Sequence, residues 1–197
     1  NVENYIFPSS GSVYGNNKTI NNETTKLSPI SKYAKDKSKE ELITCNTLNN
    51  SKTNAIILRI GNVYGPNYSK LSTQGIIPTI LYNIHHNKPI DVWGDGTVIR
   101  DYIFIDDLVD ILMTLRNYNK SALLNIGSGE AYSVNDLINV CFGLTNKIVP
   151  VNYSNGYKED VIVNTLDVNK AKKLLAWSPK YNIKNGILKC WNKTKFS

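Results

Sequence analysis

This chain of 197 residues contains no G-x-G-x-x-G or G-x-x-G-x-x-G turn, so the usual cradle for a dinucleotide pyrophosphate at a helix N-terminus is missing from it. It has no apolar run near the ~20 residues that a membrane span requires, and no charged-then-apolar leader at its start. A soluble chain without a membrane partner is expected. Cysteine is scarce: Cys45, Cys141 and Cys190 are odd in number, widely spaced and never paired as C-x-x-C. That argues against a disulfide framework or a metal site and for reduced thiols in the cytoplasm. His85 and His86 add no metal site, because adjacent helical residues point to different faces. The net charge is +7, but the lysines are scattered, denser only at 35–39 and 170–173. With no arginine-rich stripe and no nucleic-acid motif, the charge reads as solvated surface, with a smaller share left for an anionic ligand.

What is present centres on Ser9 to Lys37. Ser9-Ser10-Gly11-Ser12-Val13-Tyr14-Gly15 precedes a polar connector and then Ser31-Lys32-Tyr33-Ala34-Lys35-Asp36-Lys37. Helical residues four apart share a face, so Tyr33 and Lys37 project together toward whatever the Ser10 and Ser12 hydroxyls face. A phenol is a poor base at neutral pH, and a nearby ammonium favours its phenolate. A serine hydroxyl can donate and accept, so Ser10 can hold a substrate oxygen while its proton is exchanged with the phenol. Such a set suits alcohol–ketone interconversion. A lone Tyr-x-x-x-Lys is more often ordinary helix surface; this one has the serine loop ahead of it.

In chain order, Tyr5-Ile6-Phe7 reads as a buried strand running into the serine loop, and the polar stretch 16–26 as a surface loop. Pro29 can open a helix, capped by Ser28 or Ser31, that reaches about Leu48. Residues 55–60 form a short apolar strand suited to a sheet covered on both faces, and the loop beyond it holds Asn62. A helix follows Gly75, and 89–93 is a strand ending at Trp93. The tight turn Gly94-Asp95-Gly96 leads to Ile99-Arg100-Asp101-Tyr102. Asp106 and Asp107 open an amphipathic helix, and one or the other is assigned to capping, since adjacent carboxylates cannot converge on one bond. Strand 122–126 runs into Gly127-Ser128-Gly129, read as structural. A helix from Ser133, with Asp136 three residues on as a capping-box analogue, and a helix–turn–helix from Asp167 to Trp191 complete the reading.

Taken together, Phe7-Pro8-Ser9-Ser10-Gly11-Ser12-Val13-Tyr14-Gly15, Pro29 to Lys37, Leu58-Arg59-Ile60-Gly61-Asn62-Val63-Tyr64-Gly65-Pro66, and Gly94-Asp95-Gly96 to Arg100-Asp101-Tyr102 carry a resemblance. In this order they resemble the extended short-chain dehydrogenase/reductases, and among them the nucleotide-sugar epimerases of the UDP-glucose 4-epimerase type. The resemblance implies an α/β fold: part of a Rossmann-type parallel sheet with a smaller α/β substrate-binding domain. Residues 1–66 would belong to the dinucleotide-binding domain and 67–197 mainly to the nucleotide-sugar-binding domain, with segments around 100–128 returning to the first. The chain is expected to be the C-terminal part of a longer enzyme, inactive alone and homodimeric at full length through the helix of Tyr33 and Lys37.

By the same resemblance, Tyr33, Lys37 and Ser10 are catalytic, and Tyr33, Lys37 and Ser9 touch the cofactor NAD. Ser10, Ser12, Asn62, Gly75, Trp93, Arg100 and Lys158 touch a nucleotide-diphosphate sugar, with Trp93 beside uracil and Asn62 and Arg100 on the diphosphate. Two alternatives stay open: Trp93 as core, and Arg100 paired with Asp95 or Asp101. Tyr157 stands where many relatives place a second phosphate-binding arginine, and Lys158 could substitute only as a point charge. Ile60 and Gly61 replace an aromatic pair common in 4-epimerases. Gly11-Ser12 replaces the Asp-Glu of the family's dehydratases, which leaves no evident base for elimination and favours redox chemistry at a sugar hydroxyl. The implied reaction has Tyr33 removing the 4-hydroxyl proton, bridged by Ser10, while hydride passes from C4 to NAD and returns to the other face. A one-way NAD(P)-dependent 4-keto-sugar reductase and a non-catalytic nucleotide-sugar-binding remnant are the alternatives.

Overall fold

The structure, a computed structural model, describes residues 2–17, 19–66, 75–156 and 161–193. The chain enters as strand β1 (Asn4–Ser10), turns through a 3-10 helix (Gly11–Tyr14) and a polar loop, and returns as helix α1 (Lys32–Leu48) and strand β2 (Asn54–Ile60). After β3 (Asn62–Tyr64) come α2 (Ile76–His85), β4 (Ile90–Trp93), β5 (Ile99–Phe104) and α3 (Ile105–Leu115). The remainder is β6 (Ala122–Ile126), β7 (Ala131–Ser133), α4 (Val134–Thr145), β8 (Val151–Ser154), β9 (Val163–Asn164), α5 (Asn169–Leu175) and α6 (Ile183–Lys193).

One sheet has the order β1-β2-β6, with both pairings parallel. Both of its faces are covered, which is why its strands read as nearly unbroken apolar runs. On one face Ile56, Leu58, Leu124 and Ile126 pack with Ile111 and Leu115 of α3 and with Ala171 and Trp177. The other face lies under α1. Its register sets Ser9, Arg59 and Asn125 side by side, a polar row across three strands close to their C-terminal ends. That end of a parallel sheet is where α/β folds place their chemistry.

The second region is built on β5, which pairs with β3 and β9 in parallel and with β7 antiparallel, while β4 and β8 form a separate parallel pair. Its core gathers Ile77, Ile80, Leu81 and Ile84 of α2, Leu137, Ile138 and Cys141 of α4, and Ile187 and Cys190 of α6 around Tyr64 and Phe104. All three cysteines are free thiols. The Gly94-Asp95-Gly96 turn therefore carries the chain between two sheets and closes no hairpin. Gly94 and Gly96 have φ of 82° and 76°, and a Cβ on Gly96 would lie 2.2 Å from Asn135 Oδ1, so the turn needs glycine there.

Several sequence expectations are corrected. Helix α1 begins at Lys32, not at Pro29, with Ser31 accepting from the Ala34 N–H at 3.1 Å. Asn62 lies in a strand rather than a loop, because β3 finds a partner in β5. The stretch 16–26 is more than surface: Asn21 is fully buried and bridges to Leu166, and Glu23 Oε1 accepts the Asn125 N–H at 2.9 Å. These polar side chains go inside because they complete backbone hydrogen bonds that a loop would otherwise leave open. Asp107 does not cap its own helix. It is buried and accepts the N–H groups of Lys180 and Tyr181 at 2.9 and 3.1 Å, while Asp106 pairs with Lys189 at 2.6 Å. With the Lys180–Asp110 ion pair, these contacts fasten α6 and its leading loop to α3. Helix α6 also lies close on Tyr64, since a Cβ on Gly186 would sit 2.1 Å from the phenol oxygen.

Replacing Asp107 with Ala leaves two part-buried N–H groups at this joint without their acceptor and is expected to cost about 1–2 kcal/mol, read as a lower urea midpoint at unchanged slope. A midpoint like that of the parent would show that the joint is held by α6 packing alone.

Candidate active site

Helix α1 is polar for its length, and its buried residues are Ala34, Glu41 and Thr44. Tyr33, Lys37 and Glu41 follow at intervals of four and make one stripe down the helix. Tyr33 is 58% exposed at the open end of the stripe. The Lys37 ammonium lies 4.8 Å from the centroid of the Phe7 ring and 3.1 Å from Glu40. Glu41 is buried against the sheet.

Ser10 caps the 3-10 helix: its hydroxyl accepts the Ser12 N–H at 3.2 Å and the Ser12 hydroxyl at 2.9 Å. Ser9, expected beside the cofactor, instead turns its hydroxyl inward to Glu41 Oε1 at 2.5 Å and is buried. Glu41 also takes the Arg59 fork, with Nε to Oε1 at 3.0 Å and Nη2 to Oε2 at 2.7 Å. The remaining Arg59 arm, Nη1, donates to the Tyr14 hydroxyl at 3.0 Å, and that hydroxyl donates to Asn125 Oδ1 at 2.7 Å. Burial opposes the Arg59 charge, but the bonds to Glu41 and Tyr14 outweigh it and hold the guanidinium above its ordinary pKa. Burial pushes the Tyr14 phenol up, against the pull of Arg59.

Beside the serine loop, a cavity of about 140 Å³ is lined by Ser12, Asn62 and Arg100 together with Ser31 at the start of α1. A wider cleft of about 930 Å³ is lined by Trp93, Gly94, Tyr153 and Gly156. Three of the expected substrate contacts are thus brought together, and Trp93 faces the neighbouring cleft. The walls of these two cavities do not include Tyr33, Lys37 or Ser10. Gly75 caps α2 at φ 96° and lines neither cavity. Lys158 and Tyr157 lie outside the described residues.

Arg100 is not set against Asp101. Its Nη1 donates to the Ile99 carbonyl at 2.9 Å, while Asp101 accepts the Ser128 N–H at 2.7 Å, the Ser128 hydroxyl at 3.0 Å and the Gly129 N–H at 3.0 Å. Gly127-Ser128-Gly129 therefore closes on a carboxylate of the protein itself. A Cβ on Gly127 would lie 2.7 Å from Asp101 Oδ2, and one on Gly61 would lie 2.9 Å from the Asp101 carbonyl. The latter approach explains glycine at 61, where the resemblance leads one to expect an aromatic ring. Among the described residues no group of three or more His, Cys, Asp or Glu could hold a metal, and no helix is long and apolar enough to cross a membrane.

Sequence reasoning missed Glu41, Arg59, Tyr14 and Asn125 as one network. Two signals were available: Glu41 continues the four-residue spacing of Tyr33 and Lys37, and Arg59 is a lone charge in an otherwise apolar strand.

Comparison with known proteins places this geometry in context. Residues 1–138 match the model of the NAD dependent epimerase/dehydratase family. The chain is 31% identical over 196 residues to a UDP-glucuronate 4-epimerase of Thermodesulfobacterium geofontis, covering 98% of this chain and 60% of that protein. It is 33% identical over 187 residues to a dTDP-4-dehydro-6-deoxyglucose reductase of Escherichia coli, covering 94% and 59%. The crystal structure of the Thermotoga maritima UDP-glucose 4-epimerase with UDP-glucose superposes with a TM-score of 0.90 at 28% identity, covering 97% of this chain and 63% of that one. The chain thus spans about three fifths of the length of these curated relatives.

Burial pushes Asp101 up to about 6 from an ordinary 3.8, against the pull of the Ser128 and Gly129 bonds. For an acid raised on folding, the contribution to stability is full below the unfolded pKa and is lost as pH rises through the folded one. At about 1.4 kcal/mol per unit, stability is expected to fall by on the order of 3 kcal/mol from this group between about pH 4 and pH 6. Asp101→Asn should flatten that part of the stability–pH curve measured by urea unfolding; an unchanged slope would refute it.

Proposed function

This chain belongs to the NAD dependent epimerase/dehydratase family, and on that premise we propose that the protein is a nucleotide-sugar 4-epimerase, acting on a UDP-hexose by transient oxidation at sugar C4. The observation that carries this reading is the placement of Tyr33 and Lys37 one turn apart on α1, the helix that the Ser9–Glu41 bond ties to the strand ending at Ser10. The phenol, ammonium and serine pair fit NAD and a sugar alcohol, and NAD when bound supplies the reversible hydride acceptor. Tyr33 takes the 4-hydroxyl proton with Ser10 as the bridge, and Lys37 holds the nicotinamide ribose. Tyr33 returns the proton after the keto sugar has turned over. Gly11-Ser12 offers no carboxylate for elimination, which supports simple redox chemistry over dehydration.

The cavity wall supports a diphosphate site. The Asn62 amide donates without adding charge, and the Arg100 fork matches phosphate oxygens. The indole of Trp93 offers uracil a flat face in the adjoining cleft, and Gly75 and Lys158 are further contacts to the sugar nucleotide, Lys158 as a point charge for its phosphates. Residues 1–66 serve the cofactor and 67–197 mainly the sugar nucleotide, with segments around 100–128 returning to the cofactor domain. We assign the protein to the cytoplasm, on its free thiols, and to a homodimer through the outer face of α1, where Leu42 and Ile43 are exposed. A 4-keto-sugar reductase is the second reading, favoured by the similarity to the E. coli reductase.

The test is incubation of the full-length protein with UDP-glucose or UDP-glucuronic acid and trace NAD. The 4-epimer is expected with no net reduced nicotinamide. Stoichiometric change at the reduced-nicotinamide band with a 4-keto sugar would select the reductase, and UDP binding without turnover would select a binding protein. Tyr33→Phe is expected to lower kcat by roughly 10²–10⁴-fold and leave UDP affinity intact.

A further inference from the structure

We infer that Arg59 is a positioning residue that sets the separation between the serine loop and the Tyr33–Lys37 helix, reaching the first through Tyr14 and the second through Glu41. The inference rests on the proposed catalytic role of Tyr33 and adds residues that do not touch substrate.

The geometry is specific. Ser9 and Arg59 are register neighbours on the α1 face of the sheet, and both bond to Glu41. Glu41 is two turns along the stripe from Tyr33 and one from Lys37, so any displacement of its carboxylate moves both along the rigid helix. On the other side, Tyr14 ends the 3-10 helix that Ser10 caps and that contains Ser12. Its ring centroid lies 4.9 Å from the guanidinium carbon, and its hydroxyl accepts from Nη1. One planar fork therefore holds the two halves of the proton-handling set at a fixed spacing. A lysine could satisfy one side at a time, because an ammonium is a point charge without the fork.

The composition of α1 explains why a polar device is used. With Ala34, Glu41 and Thr44 as its buried residues, the helix has little apolar surface to fix its height on the sheet. A buried ion pair is a poor source of stability compared with apolar residues of similar volume, since both charges are desolvated. What it supplies is direction. Four bonds into Glu41 from two strands fix position along the helix axis, which smooth apolar contacts do poorly.

That distinction gives the experiment. In the full-length protein, Arg59→Met combined with Glu41→Leu removes the fork and both buried charges together. We expect thermal stability near that of the parent, UDP affinity within about twofold, and kcat for UDP-glucose or UDP-glucuronic acid lowered by roughly 10–100-fold, as a misplacement near 1 Å would produce. Ser9→Ala keeps the ion pair and loosens only the strand; kcat should fall by roughly threefold to tenfold, the worth of one hydrogen bond, again with UDP affinity unchanged. This milder variant carries the test if the double one does not fold. Parental kcat in whichever variant folds would make the network purely structural and overturn the inference. Tyr33→Phe, run beside them, separates the two failures: parental turnover there removes the catalytic reading itself, whereas its loss with an unaffected Ser9→Ala removes only the positioning role.

Discussion

A guanidinium buried between a helix and a sheet needs an acceptor for each of its arms, and the region around Arg59 is organised to supply them. Glu41 arrives from α1, Tyr14 from the turn after β1, and the phenol passes the chain on to Asn125 of β6. Three strands, one helix and the serine loop therefore share one polar seam laid across a sheet that is apolar on its other face. The seam sits at the strand ends where the backbone opens toward Ser10 and the cavity of Asn62 and Arg100. Interior polarity here is concentrated at the site and fully bonded, the condition under which buried polar groups give a unique arrangement.

The acidic residues show a second regularity. Asp101, Asp107 and Glu23 each sit within or near elements that suggest catalysis, ion pairing or helix capping. All three instead accept backbone N–H groups from distant segments: the loop after β6, the approach to α6, and β6 itself at Asn125. A carboxylate accepts from several directions and offers no donor of its own, so one side chain can fix a loop that has no strand partner. The joints between the two regions are made in this way, leaving Asn62 and Arg100 on a wall whose backing is held by Asp101.

Much of this was legible in the sequence. The strands that became β1, β2 and β6, the helix with Tyr33 and Lys37, the cap at Ser133 and the Trp93 strand follow from short apolar runs, four-residue spacing and turn chemistry. The family resemblance lies in those same stretches. Illegible were the partners. Glu41 stands in a lysine-rich, polar helix and looks solvated; only the sheet beneath it reveals that it is buried. Asn62 became a strand because β5 lies beside it, a partner 40 residues on in the register with Tyr102 that no local pattern announces. Asp107 satisfied the rule for a helix start while being used by a segment 73 residues later. Local signals fix elements; the destination of a hydrogen bond between distant residues depends on topology.

The span of the Tyr14–Asn125 bond also has a meaning in time. These residues are 111 positions apart, so the phenol leaves the ribosome long before its acceptor exists. At bacterial-to-eukaryotic synthesis rates that delay is roughly 6–20 s. During it the Arg59 seam can be only partly closed, and β2 waits with one edge bare. The protein's chemistry-bearing end is thus among the last parts of its sheet to be completed, and the nascent chain passes through an interval in which its most polar interior is open to water.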